Sequence, residues 1–258
     1  MDGIYTLSGF LVGLIVGVTG VGGGSLMTPL LVLLFGVSPV TAVGTDLLYA
    51  SLTKTLGGWV HGRRGTVDWK VAGLLSIGSL PAAVVTIALL KFLAPDEKTL
   101  RGLVTGVLSV ALLLTASALL LKSRIRKFAQ RRYDTVLHHR HLPAATIVTG
   151  ILVGMLVTIS SVGAGVLGTV ALLFLYPRMS AAKVVGTDIV HAVPLTAVAG
   201  MGHLVALGTV DILLLGSLLL GSLPGIYIGS HLSTKVPEGV LRPVLATMLL
   251  IIGVRMAL

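Results

Sequence analysis

Apolar residues fall into ten long blocks. They lie at about 4–19, 25–36, 40–60, 71–90 and 102–121, then 143–159, 166–176, 184–204, 212–230 and 240–257. None shows the strict alternation of a half-buried strand, and most approach the roughly 20 residues that carry a helix across a bilayer. Blocks 25–36 and 166–176 are too short to cross. Each follows a glycine-rich break, at 20–24 and 163–165. The first two blocks of each set therefore read as a broken or re-entrant helical hairpin, and the next three as full spans. The pattern predicts an all-α polytopic membrane protein.

The two sets of five are copies. Val43-Gly44-Thr45-Asp46 returns as Val185-Gly186-Thr187-Asp188, 142 positions later. His61 returns as His203, Gly65-Thr66-Val67-Asp68 as Gly208-Thr209-Val210-Asp211, and Gly78-Ser79-Leu80-Pro81 as Gly221-Ser222-Leu223-Pro224. Upstream, Val21-Gly22-Gly23-Gly24 aligns with Val162-Gly163-Ala164-Gly165. Residues 1–121 form one transmembrane repeat, 122–142 a basic linker and 143–258 a second repeat, together one membrane domain. Paired repeats with interrupted short segments are the mark of a secondary carrier whose site lies at the repeat interface.

Composition agrees. The chain is 55% hydrophobic and 11% charged, against about 25% charged in soluble domains; its mean hydropathy is +1.03. Without cysteine it has no disulfide, thiolate metal site or cysteine nucleophile. Residues 1–9 lack the basic region of a cleavable signal peptide. The net charge of +10 does not point to nucleic acid, because the basic residues sit in loops between apolar blocks. Fourteen lysines and arginines fall in 61–70, 122–142, 177–183 and 230–242, against Lys91, Lys98, Arg101 and Arg255 on the opposite side. The positive-inside rule places the first group in the cytoplasm and both termini outside. The 65–68 loop is then inside and its twin 208–211 outside, so the copies are inverted. A hairpin plus three spans has the odd parity inversion needs; a single span in place of the hairpin would make the copies parallel. The 122–142 stretch reads as a topology-fixing linker able to touch anionic lipid.

The breaks are the first candidate site. Gly20, Val21, Gly22, Gly23, Gly24 and Ser25 run into a short apolar helix, and so do Ser160, Ser161, Val162, Gly163, Ala164 and Gly165. A helix N-terminus offers unpaired N–H groups and partial positive charge to an anion. Irregular backbone at membrane depth persists only where buried or lining a cavity. The competing reading is close helix packing through Gly13-x-x-x-Gly17, Gly20-x-x-x-Gly24 and Gly150-x-x-x-Gly154.

The doubled Gly-Thr-Asp supplies Thr45 and Thr187 as substrate-binding candidates, and Asp46 and Asp188 as proton-coupling candidates. A carboxylate at this depth costs about 2.5–3.5 kcal/mol and calls for a function or a partner. The alternative is that each caps its own helix. A neutral acid could donate a hydrogen bond to an anion, and a charged pair could hold a cation. Lys54, two turns after Asp46, either adds positive potential to the pathway or snorkels toward the edge near His61. His191, three residues after Asp188, suits a proton relay or a satisfied buried histidine. His61 and His203 read as interface residues. Asp68 and Asp211 read as turn or cap residues, and Pro81, Pro194 and Pro224 as kinks.

No Walker loop, dinucleotide fingerprint or zinc-helix motif occurs, and no metal site or cofactor is expected. His138, His139 and His141 have only Asp134 nearby and do not make a metal site. Ser25, His191 and Asp188 are the parts of a triad that nothing in the sequence assembles.

Taken together, Gly-Val-Gly-Gly-Gly-Ser at 20–25 with Pro29, Ala-Val-Gly-Thr at 42–45, His61 with Gly65-x-Val-Asp68, and the weaker second copy resemble the TauE/SafE sulfite exporter family of membrane permeases. The likeness spans nearly the whole chain. It implies a bacterial or archaeal plasma-membrane carrier for a small sulfur-containing anion such as sulfite, thiosulfate or a sulfonate. It also implies that the glycine breaks and the segments 44–46 and 186–188 form the substrate region. Aspartate after both Gly-Thr pairs, where the family often has a small polar residue, adds weight to proton or cation coupling. The resulting expectation is a non-enzymatic alternating-access carrier, with a cation carrier built on Asp46 and Asp188 as the alternative. Substrate identity, transport direction and oligomeric state are not legible.

Overall fold

A computed structural model describes residues 3–19, 24–94, 96–136, 141–232 and 238–257. Every regular element among the described residues is helical. The first repeat holds α1 (Gly3–Thr19), α2 (Gly24–Phe35), α3 (Pro39–Arg63), α4 (Trp69–Leu93) and α5 (Glu97–Val136). The second holds α6 (Leu142–Ser160), α7 (Val166–Leu175), α8 (Ala181–Gly202, continued by a π-helical turn to Leu207), α9 (Ile212–Leu232) and α10 (Glu238–Ala257). Among the described residues, five helices are long and apolar enough to cross a membrane: α4, α5 as far as Phe128, α6, α8 with its π turn, and α9 as far as Gly229. α3 is as long, at 25 residues, but carries Asp46, Lys54 and Arg63. Large apolar side chains face outward along these helices: Phe92 is 78% exposed and Val205 76%. That is the surface a bilayer covers and water would not tolerate.

Two expectations change. The hairpin of the second repeat is uneven: α6 is span-length on its own, and only α7, with 10 residues, is short. The basic stretch expected as a linker is helical as far as Val136, extending α5 to 40 residues. Lysine, arginine, glutamine and alanine are good helix formers, so loss of hydropathy there did not mean loss of helix.

Local chemistry sets the helix starts. Ser38 Oγ accepts from Thr41 N at 3.2 Å ahead of α3, and Ser180 Oγ from Lys183 N at 3.3 Å ahead of α8. Asp68 caps α4 through Val71 N (3.3 Å), and Asp211 caps α9 through Leu214 N (2.9 Å), the role expected of both. The adjoining loops are latched alike. His61 Nδ1 meets Thr66 Oγ1 at 2.8 Å, and His203 Nδ1 meets Thr209 Oγ1 at 2.9 Å. The His203 Nε2–H also donates to the Thr158 carbonyl (2.9 Å), which leaves Nδ1 of a neutral ring as the acceptor for Thr209.

The repeats exchange partners. α1 packs on α9, and its counterpart α6 packs on α4. Both seams are backbone-close. A methyl group on Gly78 would lie 2.1 Å from the Ile147 carbonyl oxygen, and one on Gly221 would lie 1.8 Å from that of Thr6. Gly150 and Gly154 face Leu75 and Ser79 in the same way, so their spacing is a packing motif. Gly13 pairs with Gly9 along the α1 seam, against Ser222 and Leu218. α3 crosses its own counterpart α8. Gly58 faces Val190 and Gly200 faces Leu48, and at the crossing Ser51 Oγ donates to the Val193 carbonyl (3.4 Å). Contacts advance along α3 as they retreat along α8, so the two helices run antiparallel.

Candidate functional site

Asp46 and Asp188 sit two turns inside α3 and α8, with the caps at Ser38 and Ser180. The reading of either aspartate as a helix cap is therefore wrong: the apolar blocks from 40 and 184 already start six and four residues before them. Each carboxylate is instead held by a threonine from the preceding short helix. Thr28 Oγ1 in α2 donates to Asp46 Oδ2 at 2.5 Å, and Thr169 Oγ1 in α7 donates to Asp188 Oδ2 at 3.3 Å. Asp46 Oδ2 takes a second bond, at 2.9 Å, from Ser161 Oγ in the break of the other repeat. The Oδ1 atoms of both aspartates are buried with no hydrogen-bond partner. Asp188 Oδ1 lies against Gly168, where a methyl group would be 2.0 Å away.

The second break is formed by unusual backbone. Ser161 has φ 57°, Gly163 φ 117° and Gly165 φ 146°. Serine in the left-handed region is strained by about 1–3 kcal/mol unless its surroundings hold it; here the strain turns its hydroxyl onto Asp46. Ser160 folds back, donating to the Leu156 carbonyl (2.6 Å) and accepting from Val162 N (3.2 Å). Lys54, on α3, is 6% exposed and donates to the Ala164 carbonyl in this break. Snorkelling toward His61 is thus overturned: the amine points into the bundle, toward a carbonyl freed by the break. Asp46 and Asp188 both lie within electrostatic reach of it; Lys183 and Asp68 pair separately at 3.4 Å, partly exposed.

Thr45 and Thr187, expected to bind substrate, join the repeats. Thr45 Oγ1 accepts from Asp211 N (3.1 Å), and Thr187 Oγ1 accepts from Asp68 N (2.9 Å) while donating to the Lys183 carbonyl (2.6 Å). His191 meets Ser79 Oγ at 2.8 Å rather than Asp188, so neither a direct Asp188–His191 relay nor a triad is assembled. Its counterpart Tyr49 faces Ser222 without a hydrogen bond of good geometry. Gly20, Val21, Gly22 and Gly23 lie outside the described residues, as does the side chain of Ser25; Gly24 opens α2.

Thr28, Thr169, Ser79 and Ser222 were missed as partners, although their signal was present. Both threonines occupy matching positions of the short helices, and both serines lie in the repeated Gly-Ser-Leu-Pro. The site is closed to solvent, since Thr28, Thr45, Asp46, Ser160 and Thr187 are fully buried. Two grooves lie elsewhere: one of about 680 Å³ lined by Leu30, Leu34, Val244, Ile251 and Arg255, and one of about 600 Å³ lined by Lys98, Arg101, Thr105 and Met256.

Side chains of both repeats thus converge on a broken helix inside an apolar bundle. Comparison with known proteins yields a family model described as "Sulfite exporter TauE/SafE", which matches residues 5–256. The chain belongs to the TauE/SafE sulfite exporter family. This transporter is 38% identical over 251 residues to the "Probable membrane transporter protein YjnA" of Bacillus subtilis (strain 168), covering 97% of each chain. It is 29% identical over 237 residues to YdhB of the same organism, also titled a probable membrane transporter protein, covering 90% of this chain and 91% of that one. No solved structure matches it. Family and relatives make it a multi-pass membrane transporter rather than an enzyme, and the family's name points to a small anionic substrate.

Proposed function

We propose that the transporter is a secondary carrier for a small sulfur-containing anion, such as sulfite, thiosulfate or an organosulfonate. The substrate sits at the interface of two inverted repeats in the plasma membrane of a bacterium or archaeon, with both termini outside. One observation carries the reading: Ser161 and Ala164, in the break of the second repeat, are bound by Asp46 and Lys54 of the first. The ammonium, the Ser161 hydroxyl and the start of α7 are together suited to an oxyanion. The antiparallel crossing of α3 and α8, which are copies of one element, supports inversion. Rocking about that crossing would open the closed site to each side in turn. Protonation of Asp46 or Asp188 removes negative charge beside the anion, which is the basis for proton coupling.

The test is uptake of labelled sulfite, thiosulfate and an organosulfonate into proteoliposomes, with and without a pH gradient. At least one anion should accumulate, faster when the gradient drives protons along with it, and Asp46→Asn and Asp188→Asn should abolish the gradient's effect. Flux indifferent to pH and to both substitutions would remove proton coupling. A cation carrier is the second reading, favoured by the two unpartnered carboxylate oxygens. Thermal stabilisation of the wild-type protein by sodium, and by none of the anions, would establish it instead.

A further inference from the structure

Between α5 and α10, outside the transport path, the groove of about 600 Å³ runs from Lys98 and Arg101 past Gly102, Thr105 and Gly106 to Leu113. Lys98 and Arg101 are exposed, and among the described residues neither has an ion-pair partner. The acids just before them, Asp96 and Glu97, do not line the groove. Asp96 is taken up by Thr99, accepting from its N at 2.8 Å and its Oγ1 at 2.7 Å. From Gly102 to Leu121 α5 has no charged residue, so Arg101 marks one edge of the hydrocarbon. The rise from Gly102 to Leu113 is about 17 Å, close to half of the roughly 30 Å core. Two cations at headgroup level thus stand over an apolar floor one leaflet deep. Gly102 and Gly106 have nothing within 4 Å, so a chain of methylenes can lie against the backbone there. The distribution of basic residues puts both cations on the side poor in them, where topology control does not account for their presence. A second copy of the chain fits less well. Copies in one bilayer share an orientation, so a two-fold interface along this groove sets Lys98 and Arg101 against their own likes. An anionic lipid brings the opposite charge.

We propose that this groove binds an anionic phospholipid, its phosphate held by Lys98 and Arg101 and one acyl chain lying along Gly102 and Gly106 toward Leu113. Arginine matches a phosphate with paired hydrogen bonds, and basic pockets between spanning helices take lipid headgroups in other membrane proteins. The lipid braces α5 against α10, which packs on it. The inference is independent of the transported substrate.

Leu103→Cys, which lies on α5 beside the groove and is 37% exposed, carries a fluorophore in the otherwise cysteine-free chain. The labelled protein is reconstituted in phosphatidylcholine vesicles with an equal small share of lipid spin-labelled on its acyl chain, either phosphatidylglycerol or phosphatidylcholine. Quenching by the spin-labelled phosphatidylglycerol should be several-fold the stronger. Lys98→Gln combined with Arg101→Gln should remove the excess. So should Gly106→Leu, which fills the groove and leaves the charges in place; if that variant does not fold, Val110→Trp fills the same groove. Equal quenching by the two lipids overturns the proposal. An excess that persists in the filled groove is attraction to surface charge alone and overturns it too. Loss of the excess in inorganic phosphate, at constant ionic strength, gives the cations to a soluble anion instead. Quenching by neither lipid, in a protein that cross-links as a dimer, gives the groove to a second copy. Either result overturns the lipid site.

Discussion

Asp46 shows how one buried carboxylate organises its surroundings. Its Oδ2 is satisfied by Thr28 of its own repeat and Ser161 of the other, and a hydrogen bond to a charged group contributes about 1.5–3 kcal/mol. Thr28→Val should therefore lower stability by about 1.5–3 kcal/mol, measured by denaturant or thermal unfolding. Thr53→Val should change little, since its hydroxyl bonds only its own helix backbone, at Tyr49 (2.9 Å) and Ala50 (3.3 Å). The aspartates, Thr45 and Thr187 stood out in the sequence because they are polar, repeated and inside apolar blocks. Their partners did not, because a threonine in a short apolar helix reveals nothing of which carboxylate it faces. Lys54 was misjudged for a related reason: a four-carbon stem reaches either outward or inward, and only the position of Ala164 decides between them.

At the scale of the helix, the apolar blocks located most helix ends to within a few residues. The exceptions are informative: α3 reaches Arg63, and α5 runs on through a basic stretch, both where polar residues favour helix without favouring membrane. The glycines divided into two classes that spacing alone could not separate. Gly78 and Gly221 are seams where carbonyl oxygens already occupy the space of a side chain, whereas Gly73, in α4, has nothing within 4 Å. Gly78→Ala and Gly221→Ala should each cost about 1–3 kcal/mol or more through forced separation of the helices. Gly73→Ala should be neutral or stabilising by up to about 1 kcal/mol. Thermal unfolding of the three variants side by side decides this, and equal effects would contradict the seam geometry.

For the whole molecule, duplication was plain in the sequence, but the exchange of partners between copies was not. Val-Gly-Thr-Asp recurring after 142 positions does not reveal that Thr45 bonds Asp211 while Thr187 bonds Asp68. Such reciprocity arises when two copies bury the same surface against each other. Under the rocking proposed above, the α3–α8 crossing is where the repeats would move. The chain lacks cysteine, so a pair introduced as Gly58→Cys and Val190→Cys, where a methyl group on Gly58 would lie 3.6 Å from Val190 Cγ2, reports on that crossing alone. Oxidation should cross-link the pair and stop flux, and reduction should restore it. Full flux in the cross-linked protein would move the hinge elsewhere.

The same absence of cysteine permits the most direct test of a site shared by the repeats and opened to each side in turn. Ser161→Cys, reconstituted in vesicles of known orientation, is treated with a membrane-impermeant thiol reagent from one side and then, in a separate sample, from the other. Labelling from both sides, slowed by the transported anion, is the expected result. A thiol reached from neither side, or from one side regardless of substrate, would contradict alternating access at this site.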